Sequence, residues 1–206
     1  MELFLNAHTR LEPSPWVQRW SGLLRAHASV LDVACGSGRH LRWFAARGDR
    51  VTGIDCDAAA LAPLQGLGRT IVADIENGAW PLTGERFDAV VVTNYLWRPL
   101  WPVLRASLTE GGVLICETFA LGNEAYGKPS NPDFLLRPGE LLEACRGLQV
   151  VAFEDGLLDA PARRVQRIAA VNKPAANARH LLEPSRSRAA APRQLKSAAC
   201  RKPHPS

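Results

Sequence analysis

Between Ser29 and Glu117 short β-branched runs alternate with helical ones, and this alternation constrains the fold more than any other feature of the chain. Ser29–Ala34 (SVLDVA), Arg50–Asp55 (RVTGID), Arg69–Ala73 (RTIVA), Phe87–Thr93 (FDAVVVT) and Gly112–Glu117 (GVLICE) have the composition and the bounding turn residues of strands. Arg39–Arg47 reads RHLRWFAAR, with Leu41, Phe44 and Ala45 on one helical face and Gly48 as a stop. Asp57 is suited to N-cap a short Ala/Leu helix ending before Gly66, and Pro99–Leu108 supplies another helix before the turn Glu110-Gly111-Gly112. Strands apolar on both faces and joined by helices imply a parallel sheet covered on both sides, a doubly wound α/β domain.

The two ends refine this expectation. Ser14-Pro15 opens a helix of about residues 14–27 through Trp16, Val17, Trp20, Leu23 and Leu24, placed to lie over the carboxyl edge of the sheet. After a helix at Pro138–Cys145, the strands Leu148–Glu154 and Arg164–Asn172 are joined only by GLLDAPAR. That is too short for a helical crossover, so they form an antiparallel hairpin. Residues 1–172 therefore read as one domain with its core at 29–172. Residues 173–206, with five prolines and eight alanines, read as a disordered basic tail.

Charge divides at the same boundary. Residues 1–172 hold 17 Lys/Arg and 19 Asp/Glu, a formal balance of −2, whereas residues 173–206 hold 8 basic residues and one acid, a balance of +7. A basic excess confined to the tail gives the folded body no electrostatic support for a DNA or RNA substrate. The longest apolar stretches, near Ala89–Thr93 and Val113–Cys116, fall far short of the ~20 residues of a membrane span, and Met1–Ala7 lacks the basic start of a secretory signal. A cytoplasmic protein with no membrane partner is expected. The five cysteines (Cys35, Cys56, Cys116, Cys145 and Cys200) contain no C-x-x-C pair and are odd in number, so neither a metal site nor a disulfide framework is expected.

Chemistry concentrates in Val30–His40, VLDVACGSGRH, where a strand runs through Cys35-Gly36-Ser37-Gly38 into a helix. Glycines let the backbone turn sharply and approach a ligand, and the free N–H groups of a helix start favour negative charge. Two glycines alone serve a structural turn equally well. Asp55, however, ends the second strand 19 positions after Gly36, where an acid can accept both ribose hydroxyls. Asp74 ends the third strand, where it can reach an adenine amino group with Ile75 over the ring. Each acid taken singly reads as a loop acid or a cap; as a set they outline an adenosine-shaped site.

In LDVACGSGRH, GIDCD, VADIENG and GGVLICETF the chain resembles the class I S-adenosylmethionine (SAM)-dependent methyltransferases over about Ser29–Asn172. The resemblance implies a Rossmann-like, mostly parallel seven-stranded sheet whose last strand is reversed, with SAM as cofactor. By the same resemblance Asp32 and the backbone at Cys35, Gly36, Ser37 and Gly38 cradle the methionine part. Asp55, followed by Cys56, holds the ribose, and Asp74 with Ile75 holds the adenine. Ala34 stands where many members have the first glycine of the loop, a place alanine can occupy if its φ is negative. A dinucleotide-binding dehydrogenase is disfavoured because Leu41 occupies the third glycine position of G-x-G-x-x-G.

The acceptor side is less legible, because methyl transfer depends on alignment more than on a catalytic triad; no catalytic residue is assigned. The fourth strand runs into Asn94-Tyr95-Leu96-Trp97, and Asn94 resembles the first residue of the N-P-P-Tyr motif of amino-methylating members. Without the two prolines, base methylation is not inferred, and Asn94 reads equally as a turn residue beside the cofactor. Glu117 ends the fifth strand at the same edge. The long loop 120–137 resembles, together with Pro138–Leu142, a stretch of small bacterial methyltransferases related to tellurite-resistance proteins. Tyr95, Glu117, Tyr126, Asn131 and Phe134 are the candidate acceptor or lid residues, with a surface loop pinned by Pro129 and Pro132 as the alternative. His40 reads as a polar residue of the first helical turn, and His8 and Arg10 as residues able to close over the site. The expected activity is methyl transfer from SAM to a small-molecule substrate. The alternatives are a non-catalytic SAM-binding scaffold or sensor and methylation of RNA or protein directed by the tail; the oligomeric state is not readable.

Overall fold

The computed structural model describes residues 12–172; the expected tail, together with His8, Arg10 and Cys200, lies outside the described residues. Helix α1 (Pro15–Trp20) starts as its sequence dictates, with the Ser14 hydroxyl accepting the Trp16 N–H at 3.1 Å and proline in the first turn. It ends sooner than expected, passing into one 3-10 turn at Ser21–Leu23. Strand β1 (Ser29–Val33), helix α2 (Arg39–Ala46), strand β2 (Arg50–Asp55), the short helix α3 (Ala58–Leu61), and strands β3 (Arg69–Val72) and β4 (Phe87–Thr93) follow. Helix α4 (Trp101–Ala106), strand β5 (Leu108–Phe119), helix α5 (Glu140–Ala144), and strands β6 (Gln149–Asp159) and β7 (Ala162–Val171) complete the order.

These strands form one seven-stranded sheet in the order β3-β2-β1-β4-β5-β7-β6. Neighbours from β3 to β5 pair in parallel, and β7 runs antiparallel to both β5 and β6, so six strands share a direction and β7 alone is reversed. The expected doubly wound sheet with a terminal hairpin is present. The hairpin is longer than its apolar residues suggested, because the ladder continues through most of GLLDAPAR to the pair Asp159–Ala162. Strand β5 likewise begins at Leu108, paired with Phe87, and takes in the glycines expected to form a turn; Gly111 instead donates its N–H to Asn172 O at 2.7 Å.

Two cores flank the sheet. Leu41 and Phe44 of α2 join Trp16, Val17 and Trp20 of α1 against Val30, Val51, Val91 and Ile115 on one face. Leu104 of α4 and Leu141 of α5 pack with Leu31, Ile54, Val90 and Leu114 on the other. Helix α1 therefore lies on a face of the sheet, not over its carboxyl edge as expected. Its apolar stripe finds more surface there, and the buried Trp16 Nε1 donates to Ile168 O at 3.2 Å. No helix among the described residues is long and apolar enough to cross a membrane.

Candidate functional site

The carboxyl ends of β1, β2 and β3 lie side by side. Beyond β1 the chain turns at Ala34, whose φ of +54° is positive, so the condition for alanine at this place is not met. The left-handed turn brings the Cys35 N–H onto Ile54 O at 3.0 Å, tying the loop to β2, and alanine adopts it against the steric preference that makes glycine the usual choice. Gly36 and Gly38 repeat the positive φ, at +52° and +74°, and Gly38 precedes the first residue of α2. The Arg42 guanidinium donates back to Ser37 O and braces the loop.

Asp55 spans from β2 to this loop. Its Oδ2 accepts the Gly36 N–H at 2.7 Å and its Oδ1 the Asp57 N–H at 2.9 Å. Asp57 caps α3 as expected, accepting from Ala59 N and Ala60 N. Asp32 is buried at 1% exposure; its Oδ2 has no hydrogen-bond partner and lies 3.6 Å from His40 Nδ1. His40 is equally buried, and its Nε2 accepts the Ser14 N–H at 3.2 Å, which directs the ring N–H at Nδ1 toward Asp32. It is thus an internal bridge between α1, α2 and β1, and only its place in the first helical turn matched the sequence reading.

Asp74 takes a different arrangement. It is exposed, and both oxygens serve its own turn: Oδ1 accepts from Glu76 N and Asn77 N, and Oδ2 from Asn77 Nδ2. The Asn77 side-chain hydrogen bond, with the two backbone ones, holds its carboxyl below the usual range. Ile75 packs half-buried against the α4–α5 core, while Cys56 is exposed. Cys35 is buried, and burial together with the charges of Asp32 and Asp55 pushes its thiol far up, so it stays protonated.

Next to this edge, at the ends of β4 and β5, is a cavity of about 210 Å³. Of the expected acceptor residues, Tyr95 and Phe134 line it, together with Asn94, expected beside the cofactor, and with Glu76, Leu96, Thr118, Phe119 and Pro129, which the sequence reading had not selected. Most of these five flank a residue that it did select, so strand-end position was the available signal. Tyr95 donates from its hydroxyl to Glu76 Oε1 at 3.2 Å, and burial with the Glu76 charge pushes its pKa far up.

Three expected acceptor residues are elsewhere. Glu117 is 1% exposed and turns away from the cavity to accept from Arg163 Nη2 at 3.1 Å and Arg167 Nη1 at 3.4 Å, a buried ion network between β5 and β7. Tyr126 is exposed and does not line the cavity. Asn131 accepts the Asp133 N–H and caps the 3-10 turn Pro132–Phe134, the bland reading of that loop.

The loop over the cavity is fastened by Arg98. Its Nη1 donates to Asp133 O at 2.6 Å, its Nη2 to Leu135 O at 2.9 Å, and its Nε to Glu140 Oε1 at 2.6 Å. Glu140 also accepts the Arg137 N–H at 2.9 Å. Burial would raise the Glu140 carboxyl, but the hydrogen bonds from Arg98 and Arg137 outweigh it and hold it below its ordinary value. Its stabilisation is therefore complete above the unfolded pKa of about 4.3 and disappears as pH falls through the lower folded value. Amide exchange protection of residues 133–136, corrected for intrinsic rates, should persist at about pH 5 and fall as the pH is taken below the ordinary carboxylate range.

Comparison with known proteins adds the following. A family model described as a methyltransferase domain matches residues 30–112. The tRNA U34 carboxymethyltransferase of Shewanella amazonensis is 33% identical over 128 residues, covering 52% of this chain and 39% of that protein. The chain thus spans about two fifths of the length of the curated relative it matches. Among solved structures, TehB from Haemophilus influenzae has a TM-score of 0.58 at 21% identity, covering 71% of this chain and 58% of that one. The N-methyltransferase NodS from Bradyrhizobium japonicum has a TM-score of 0.61 at 16% identity, covering 78% and 93%. At these identities the structural likeness shows a shared fold.

Proposed function

We propose that this chain, whose residues 30–112 match a methyltransferase-domain model, is a class I S-adenosylmethionine-dependent methyltransferase that transfers a methyl group from SAM to a small-molecule acceptor at the cavity between the ends of β4 and β5. Bound SAM supplies the methyl already activated on a positively charged sulfonium; the protein's task is to hold, align and exclude water. The observation that carries the reading is the Asp32 carboxylate at the end of β1, whose Oδ2 has His40 Nδ1 3.6 Å away and no hydrogen bond. A carboxylate buried beside the glycine loop, approached by the histidine but not hydrogen-bonded at Oδ2, suits the α-amino group of the cofactor's methionine part. Space above the loop fits as well, since among the described residues nothing beyond Gly36 and its chain neighbours lies within 4 Å of where a Cβ on Gly36 would stand.

In this reading the backbone from Ala34 through Cys35, Gly36, Ser37 and Gly38 lies along the methionine part. Asp55 keeps lone pairs for ribose hydroxyls beside Cys56, and Asp74, Ile75 and Asn94 border the adenine and the reacting end. A small acceptor is favoured over a polyanion by the −2 balance of residues 1–172, since nucleic-acid affinity rests on phosphate neutralisation. The tRNA-acting relative supports the other reading, an RNA acceptor. Calorimetry with SAM and S-adenosylhomocysteine, followed by product assays over amine, thiol, oxyanion and tRNA acceptors, separates the two. Saturable cofactor binding with turnover of a small acceptor is expected. Binding without turnover in every class would favour a scaffold, and turnover of tRNA alone would favour the second reading.

A further inference from the structure

We propose that the cavity at the ends of β4 and β5 selects acceptors that present an amine on a small apolar body, with Glu76 as the group that recognises it. This deepens the proposed function and rests on it. The lining combines three aromatic side chains, Tyr95, Phe119 and Phe134, with one carboxylate, Glu76, and two neutral polar groups, Asn94 and Thr118. Among its described lining residues there is no lysine or arginine. Aromatic faces attract cations and carry no preference for anions, and a carboxylate at the wall adds attraction for an ammonium and repulsion for an acid. The wall therefore has one sign.

Glu76 is set in position. Its Oε1 accepts from the Tyr95 hydroxyl at 3.2 Å, which leaves Oε2 and the remaining lone pairs of Oε1 for a ligand. Because Tyr95 remains a neutral phenol, as its strongly raised pKa requires, it acts as a donor to Glu76 and does not compete with it for the cation. Phe134 is carried on the turn that Arg98 holds through Asp133 O and Leu135 O, so the aromatic roof is fixed relative to the carboxylate wall. An amine that arrives protonated must lose one proton before its lone pair is available. Glu76 is placed to take it: the N–H bond breaks, an O–H bond forms on the carboxylate, and this exposed side chain returns the proton to water.

Three probes of matched shape test the inference: 2-phenylethylamine, 2-phenylethanol and 3-phenylpropionate, titrated calorimetrically into the full chain with and without saturating S-adenosylhomocysteine. The amine should bind about tenfold tighter than the alcohol, with the carboxylate weakest. Glu76→Gln, which keeps an acceptor for Tyr95, should bring amine and alcohol to within about twofold while leaving affinity for S-adenosylhomocysteine within about twofold. An alcohol that binds as well as the amine, a preferred carboxylate, or an amine preference that survives Glu76→Gln would overturn the inference. If S-adenosylhomocysteine binds and the amine preference is missing, this inference fails and the methyltransferase reading stands. If the amine preference is present and S-adenosylhomocysteine does not bind, the reverse holds.

Discussion

Glu117→Ala is expected to destabilise the protein by about 3–5 kcal/mol, the range for removing one partner of a buried ion pair. Glu117 is 1% exposed and accepts from Arg163 and Arg167, whose side chains are each only 19% exposed. Arg167 has Glu154 as a second partner and stacks over the Trp16 ring with its guanidinium carbon 4.8 Å from the centroid. Arg163 has a buried Nε that already lacks a hydrogen-bond partner. Without Glu117 the strip between β5 and β7 would hold two cations against a single, half-exposed carboxylate. Glu117→Gln keeps an acceptor and should cost less. Denaturant unfolding of the two variants provides the measurement, and wild-type stability in Glu117→Ala would return Glu117 to the list of acceptor contacts.

Asp55→Ala should weaken SAM binding by at least about a hundredfold. Two charge-assisted hydrogen bonds to ribose hydroxyls at about 1.5–3 kcal/mol each exceed the change needed, since every 1.4 kcal/mol is tenfold. A second loss adds to this, because the same carboxylate holds the Gly36 N–H at 2.7 Å and so shapes the loop on which the cofactor would rest. Asp55→Asn separates the contributions. It keeps an oxygen for one contact but removes the charge, so an intermediate loss is expected. Calorimetry with SAM reads both variants, and an undiminished affinity in Asp55→Ala would remove Asp55 from the ribose site.

What the sequence made legible follows from the range of each interaction. Strands β1, β2, β4 and the core of β5 declare themselves through continuous apolar runs, because both of their faces are covered. Asp57 and Ser14 announce their helices because a cap acts within three residues. The ends of β6 and β7 were missed because a half-exposed ladder is held by backbone pairing that leaves little apolar trace. Glu117 was misjudged for a related reason. A strand-end acid looks the same whether it faces a ligand or an arginine, and its partners come from β7, 46 and 50 residues farther along. The bridge made by His40 to Ser14 and Asp32 was equally hidden, since it depends on where α1 comes to rest.

Arg98 leaves the chain two residues after Leu96, on the wall of the cavity, and grips the segment that supplies Phe134 on the opposite side. Wall and cover are thereby linked through one guanidinium, while the Tyr95–Glu76 hydrogen bond ties the wall to the segment after β3. Such wiring makes the molecule modular. The 120–137 stretch can drift in sequence, and with it the shape of the acceptor's cover, while Glu76 and the nucleoside-facing half of the machine stay untouched, provided the arginine and Glu140 keep their grip.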